Sequence, residues 1–81
     1  MDINFRQLIE HLKNRIGVAL PEEIFAVDYD QDADTLGIRF SLNNDVDSHL
    51  YEGGKIILGV DNQENIVLIE ILSFSEMLLH F

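Results

Sequence analysis

Two short segments, residues 55–60 and 66–72, are apolar on both of their alternating faces. In the first, Ile56, Leu58 and Val60 oppose Ile57; in the second, Val67, Ile69 and Ile71 oppose Ile66, Leu68 and Leu72. They read as β-strands joined by Asp61-Asn62-Gln63-Glu64-Asn65, a five-residue hairpin turn. A sheet wetted on one side alternates apolar with polar residues. This pair therefore belongs in a sheet with cover on each face. The N-terminal helix can supply one cover, and a second subunit is the economical source of the other. Glu70 is the one charge inside the run. It is expected at a solvent edge or opposite Lys55 or Arg39, with a general acid of raised pKa as the sharper alternative.

Ahead of that pair lies a second hairpin. Leu36, Ile38, Phe40 and Leu42 alternate with Thr35, Gly37, Arg39 and Ser41, the period of a strand with one buried face. The preceding strand, about 24–29, sends Phe25, Val27 and Tyr29 one way and Ile24, Ala26 and Asp28 the other. The turn between them holds Asp28, Asp30, Asp32 and Asp34 with no basic residue. A calcium loop of the EF-hand kind needs glycine at its sixth position and glutamate at its twelfth. Counting from Asp28 gives Ala33 and Arg39; counting from Asp30 gives Thr35 and Ser41, so both registers fail. The four aspartates are good turn formers and the candidate contacts for a partner or a weakly held cation.

After a polar connection, His49-Leu50-Tyr51-Glu52 reads as an edge segment, and Gly53-Gly54 as a turn or bulge. A phosphate loop would place Ser or Thr after the lysine, whereas Lys55 precedes Ile56.

Both chain ends read as helical. Residues 3–16 place Phe5, Leu8, Ile9, Leu12 and Ile16 on one face, with Asp2 as a candidate cap and Gly17 at the left-handed stop. Pro21 prevents continuation. Ser73-Phe74-Ser75-Glu76 has capping-box spacing, Leu72 and Met77 form the matching staple, and a helix over 74–80 carries Phe74, Met77, Leu78 and Phe81. The expected architecture is α+β in a single domain, 1–81. It has a helical extension over 1–20, a four-stranded antiparallel meander over 24–72, and a C-terminal helix over 73–81.

Charge narrows the function. The net charge is −10 over 81 residues. Residues 1–17 carry three bases against two acids, while residues 18–81 carry two bases against thirteen acids. Such a polyanion repels nucleic acid and anionic membranes and suits a basic protein partner or a cation. There is no cysteine, which removes disulfides and zinc–sulfur sites. No apolar run reaches the ~18 residues of a membrane span. The Met1-Asp2-Ile3-Asn4-Phe5 start lacks the basic residues of a signal peptide, so a cytoplasmic location is expected. His11, His49 and His80 lie on three elements without metal spacing, and Ser41, Ser48, Ser73 and Ser75 lack a nucleophile-elbow context. No catalytic, cofactor or metal residues are assigned. The expected function is a small non-enzymatic interaction module, homodimeric, whose acidic face engages a basic protein, in the manner of an antitoxin. The alternative is a weak cation- or small-ligand-binding domain using the 28–34 turn, with His49.

Three stretches also carry a resemblance. Tyr29-Asp30-Gln31-Asp32-Ala33-Asp34-Thr35-Leu36-Gly37-Ile38-Arg39, Gly53-Gly54-Lys55-Ile56-Ile57-Leu58-Gly59-Val60-Asp61 and Asn65-Ile66-Val67-Leu68-Ile69-Glu70-Ile71-Leu72 resemble, in order and spacing, a family of small bacterial proteins called domain of unknown function 2283. The resemblance implies a compact antiparallel β-domain and no assigned activity. It departs from the family at Gly37, where tyrosine is usual, at Leu68, where glycine is usual, and at Ser73-Phe74-Ser75, in place of Asp-Ala-Ser. The N-terminal helix is an addition to the family core.

Overall fold

The computed structural model describes residues 4–79. Helix α1 (Phe5–Ile16) leads into strands β1 (Ala26–Asp30), β2 (Thr35–Arg39) and β3 (Asp47–Tyr51). A single 3-10 turn at Glu52–Gly54 then gives way to β4 (Ile56–Val60), β5 (Ile66–Ile71) and helix α2 (Phe74–Leu78). The α+β class is as expected. The strand count and order differ from the four-stranded meander.

Five strands form one antiparallel sheet in the order β1-β2-β5-β4-β3. The extra strand is the edge segment around His49, which starts at Asp47 and pairs along β4. In a meander the last strand would be an edge, leaving the two-sided apolar run of 66–71 half wet. Instead β2 pairs with β5, which lies between β2 and β4. Strands β3, β4 and β5 are successive hairpins and β2 closes beside β5, a Greek key. Its long connection, residues 40–46, must pass the ends of β5 and β4, about 14 Å at ordinary strand spacing.

That connection is tied down along its length. The Phe40 N–H donates to Val67 O and the Val46 N–H to Val60 O, each at 2.8 Å. The Arg39 guanidinium donates to Ser41 O (3.2 Å) and Asn43 O (3.1 Å) and lies 3.7 Å from the Asp45 carboxylate. The Asn43 amide donates to Asp61 Oδ2 at 3.2 Å.

One face of the sheet carries the core. The rows Leu36–Ile71–Ile56 and Ile38–Ile69–Leu58 run across β2, β5 and β4, each side chain at most 1% exposed. Leu8, Ile9 and Leu12 of α1 lie over these rows, with Leu20, and Phe74 and Met77 of α2 join the same cluster. Both helices therefore cover one face. The other is partly roofed by the 40–46 connection, with Asp45 lying over Gly59 beside Leu68.

At the start of α1 the Asn4 side chain accepts the Gln7 N–H at 3.2 Å. The expected Asp2 cap and Ile3 lie outside the described residues, as do His80 and Phe81 of the expected C-terminal helix. Gly17 ends α1 at φ 71°, its N–H donating to Lys13 O at 2.9 Å. Only glycine adopts that conformation cheaply.

Truncating Ile69, 0% exposed between Ile38 and Leu58, to alanine is expected to cost about 2–5 kcal/mol in denaturant unfolding. The two sheet glycines should separate. A Cβ at Gly59 would stand 3.0 Å from both Asp45 Cβ and Leu68 Cγ, whereas one at Gly37 meets only Asp28 O at 3.7 Å. Gly59→Ala should destabilise by about 1–3 kcal/mol, and Gly37→Ala should stay within about 0.5 kcal/mol of the parent. Equal effects at the two positions would contradict the packing of the connection on β4.

Candidate functional site: the acidic turn and the open sheet face

The four aspartates of the first hairpin do not act together. Asp34, at φ 53°, turns its carboxylate toward the C-terminal helix. It accepts the Ser75 hydroxyl at 2.6 Å, the Ser75 N–H at 3.1 Å and the Tyr29 hydroxyl at 2.8 Å, while its carbonyl accepts the Phe74 N–H at 2.9 Å. Asp34 thus caps α2 from 41 residues away. The capping box expected within Ser73–Glu76 does not form. Ser73 stands in the left-handed region at φ 52°, and its side chain makes no cap bond. The Tyr29 and Phe74 rings meet edge to face at 5.9 Å, closing the same joint.

Asp30 is spent on its own turn, its Oδ1 accepting the N–H groups of Asp32 (3.0 Å) and Ala33 (3.2 Å). Asp28 and Asp32 are exposed and make no side-chain hydrogen bond among the described residues. Asp32 sits in the turn. Asp28 lies on the open sheet face, where the register builds the row Asp28–Gly37–Glu70–Ile57–Leu50 across all five strands. Glu70 is half-buried between Gly37 and Ile57. The expected pairing with Lys55 or Arg39 does not occur: Lys55 reaches Glu76 at 3.9 Å, and Arg39 is held by the 40–46 connection and Asp45. Asp28, Asp30, Thr35, Gly37, Arg39 and Glu70 line a shallow open hollow of about 380 Å³. Its floor is shaped by Gly37, which leaves room where a side chain would stand.

Sequence reasoning missed a fifth acid, Asp61, which is 6% exposed at the β4–β5 turn. Its Oδ1 accepts the N–H groups of Gln63 and Asn65, each at 2.9 Å, and its Oδ2 the amides of Asn43 (3.2 Å) and Asn65 (3.3 Å). The local signal was an aspartate opening a polar turn, the pattern of a side chain closing onto following amides.

These bonds set the titration behaviour. The Ser75 hydroxyl first, and the Tyr29 hydroxyl next, hold Asp34 below the ordinary carboxylate value of 3.8. The reciprocal bond to Asp34 pushes the Tyr29 phenol above 10.0. Asp61 is lowered chiefly by the Asn65 backbone N–H, then by Gln63 and the two asparagine amides. The Ser75 hydroxyl is held on Asp34 as part of the joint between the first hairpin and α2. Among the described residues no three His, Cys, Asp or Glu side chains converge to hold a metal. His49 lies 3.5 Å from Glu64, away from the aspartates. No helix among them is long and apolar enough to cross a membrane.

Both carboxylates titrate below 3.8 when folded, so their stabilisation is complete above the unfolded value and is lost as pH falls through the folded one. The melting temperature should therefore drop between about pH 5 and pH values below 3.8. A variant with both Asp34→Asn and Asp61→Asn should melt lower at pH 7 and lose less on acidification. An acid slope identical to the parent's would contradict the assignment.

The hollow, its glycine floor and the Asp34 cap all fall within residues 26–75, which match the family model described as "Protein of unknown function (DUF2283)". Helix α1 lies outside the match. No curated protein and no solved structure matches the chain. With the match running from β1 into α2 and covering well over half of the residues, the chain belongs to the DUF2283 family.

Proposed function

We propose that this protein is a small, acidic, non-enzymatic interaction module, working in the cytoplasm as a homodimer that binds a basic protein partner. Its concrete form is antitoxin-like, neutralising a small basic ribonuclease or a similar toxin. The observation that carries this reading is the row Asp28–Gly37–Glu70–Ile57–Leu50 on the face the helices leave open. Two carboxylates flank a glycine floor, and two aliphatic side chains continue the row. A lysine or arginine of a partner could lay its alkyl stem over Gly37 and Ile57 while its charge meets Asp28 and Glu70. The net charge of −10 would speed the approach of a basic protein and repel nucleic acid.

The test is a pull-down of the tagged chain from its native cytoplasm at low and moderate salt, repeated with a variant carrying Asp28→Lys and Glu70→Lys. A basic protein recovered in stoichiometric amount should be lost as salt rises, and lost from the variant at either salt. Recovery unchanged by the double charge reversal would sink the reading. Asp34 is left intact because its replacement would loosen α2 rather than the interface.

A further inference from the structure

Strand β1 closes one side of the sheet and has no neighbour beyond it. All five of its residues are exposed. An edge of this kind presents unpaired backbone groups, a template for another strand.

The pairing with β2 fixes which groups are free. Arg39 O accepts the Phe25 N–H at 2.8 Å, so the backbone of Arg39 faces β1. Phe40 turns the other way, its N–H donating to Val67 O on β5. Alternation along β2 therefore turns Gly37 and Thr35 toward β1 as well, opposite Asp28 and Asp30. The backbone groups of Ala26, Asp28 and Asp30 are spent on that ladder. Those of Val27 and Tyr29 point away from the sheet, N–H donors and carbonyl acceptors alike.

The side chains of this strand divide by face. Tyr29 lies on the helix side, its ring 5.9 Å from that of Phe74 and its hydroxyl donating to Asp34. Val27, two residues earlier, shares that side. The two are 46% and 41% exposed, and Tyr29 is already held in place, so the stripe is preorganised. On the other side stand Asp28 and Asp30, with Glu70 farther along the Asp28 row. Among the described residues no cation pairs with these acids. Arg39 is held by the 40–46 connection and Asp45, and Lys55 lies by Glu76.

We propose that this edge takes up an extended segment of the basic partner by strand addition. The segment pairs its backbone with Val27 and Tyr29 and sets apolar side chains over them on the helix side. On the other side it holds a lysine or arginine against Asp28. This rests on the basic-partner reading above and adds the edge, the mode of binding and the pattern of the segment.

Geometry and charge select that occupant. Residues directly opposite in a ladder stand about 4.5–5.5 Å apart and share a face. The residue facing Asp28 is therefore on the acidic side, and its two neighbours lie over Val27 and Tyr29. The matching pattern is apolar–basic–apolar. A long basic side chain opposite Asp28 extends along the row toward the hollow over Gly37. An acidic residue there would meet Asp28, with Glu70 behind it. The β1 strand of a second copy offers only Ala26, Asp28 and Asp30 to that side, so charge disfavours self-pairing. In such additions the main-chain bonds supply affinity and the alternate side chains supply specificity.

Val27→Pro tests the edge. It removes an N–H from the free side and none from the β2 ladder, a position where a strand tolerates proline, and it leaves every carboxylate in place. The probe is a synthetic peptide of about seven residues alternating valine with lysine, titrated into the full chain. Anisotropy of the labelled peptide reads binding, and amide hydrogen exchange reads its place. Binding should slow exchange at Val27 and Tyr29, weaken with salt and fall about tenfold or more on Val27→Pro. N-methylation of the peptide amides that face β1 should do the same to the unaltered chain, so misfolding of a variant cannot account for the loss. A peptide with glutamate in place of lysine should not bind. In the pull-down, Val27→Pro should lose the basic protein that the parent recovers. Binding indifferent to Val27→Pro and to N-methylation, yet lost with Asp28→Lys and Glu70→Lys, would overturn strand addition and leave the acidic-face reading standing. So would a probe that fails to bind at ~1 mM while the pull-down still recovers a basic protein. Slow exchange at Val27 and Tyr29 in the chain alone at ~100 μM would give the edge to a second copy and overturn the proposal. Recovery of no basic protein at low salt would overturn the underlying reading, and strand addition with it.

Discussion

The pairing of β2 with β5 is the constraint on which the remaining structure depends. It seats Ile69 between Ile38 and Leu58 and Ile71 between Leu36 and Ile56, so the most apolar strand of the chain is central. At an edge the same strand would leave several side chains wet, each worth about 1.5–3 kcal/mol on burial. Once β5 is internal, the 40–46 connection must pass two strand ends, and Arg39, Asn43 and Asp61 hold it there. The roof of Asp45 over Gly59 follows.

A second long-range tie, Asp34 to Ser75, fastens the C-terminal helix to the first hairpin. α2 has only five residues, too few to persist alone against the cost of helix nucleation. It is held by Phe74 and Met77 in the core and by a carboxylate delivered from the turn. The aspartates therefore divide by role. Asp30 and Asp34 build the hairpin and its joint, Asp61 builds the other turn, and Asp28 with Glu70 is left facing outward over Gly37.

That division shapes the functional reading. A shallow face with outward carboxylates and an apolar continuation suits a protein surface better than a small molecule, which prefers an enclosed pocket.

Much of this was legible in the chain itself. Period-two alternation marked β2, the doubly apolar runs marked β4 and β5 as needing cover, and Gly17 marked the end of α1, because these signals are local and set by backbone geometry. Local signals also led astray. Ser73-Phe74-Ser75-Glu76 has the spacing of a capping box, yet Asp34 takes the cap, since a short-range pattern cannot register a competitor 41 residues away. The meander failed for the same reason. Sequence order proposes neighbours, but the free energy of burying Ile66–Ile71 on both sides chooses them. Residue spacing by itself determined the α+β class and the buried face of most elements. Only the tertiary structure decided the strand order, the partners of each aspartate and the bare edge at β1, because each depends on which distant segments compete for the same core and the same hydrogen bonds.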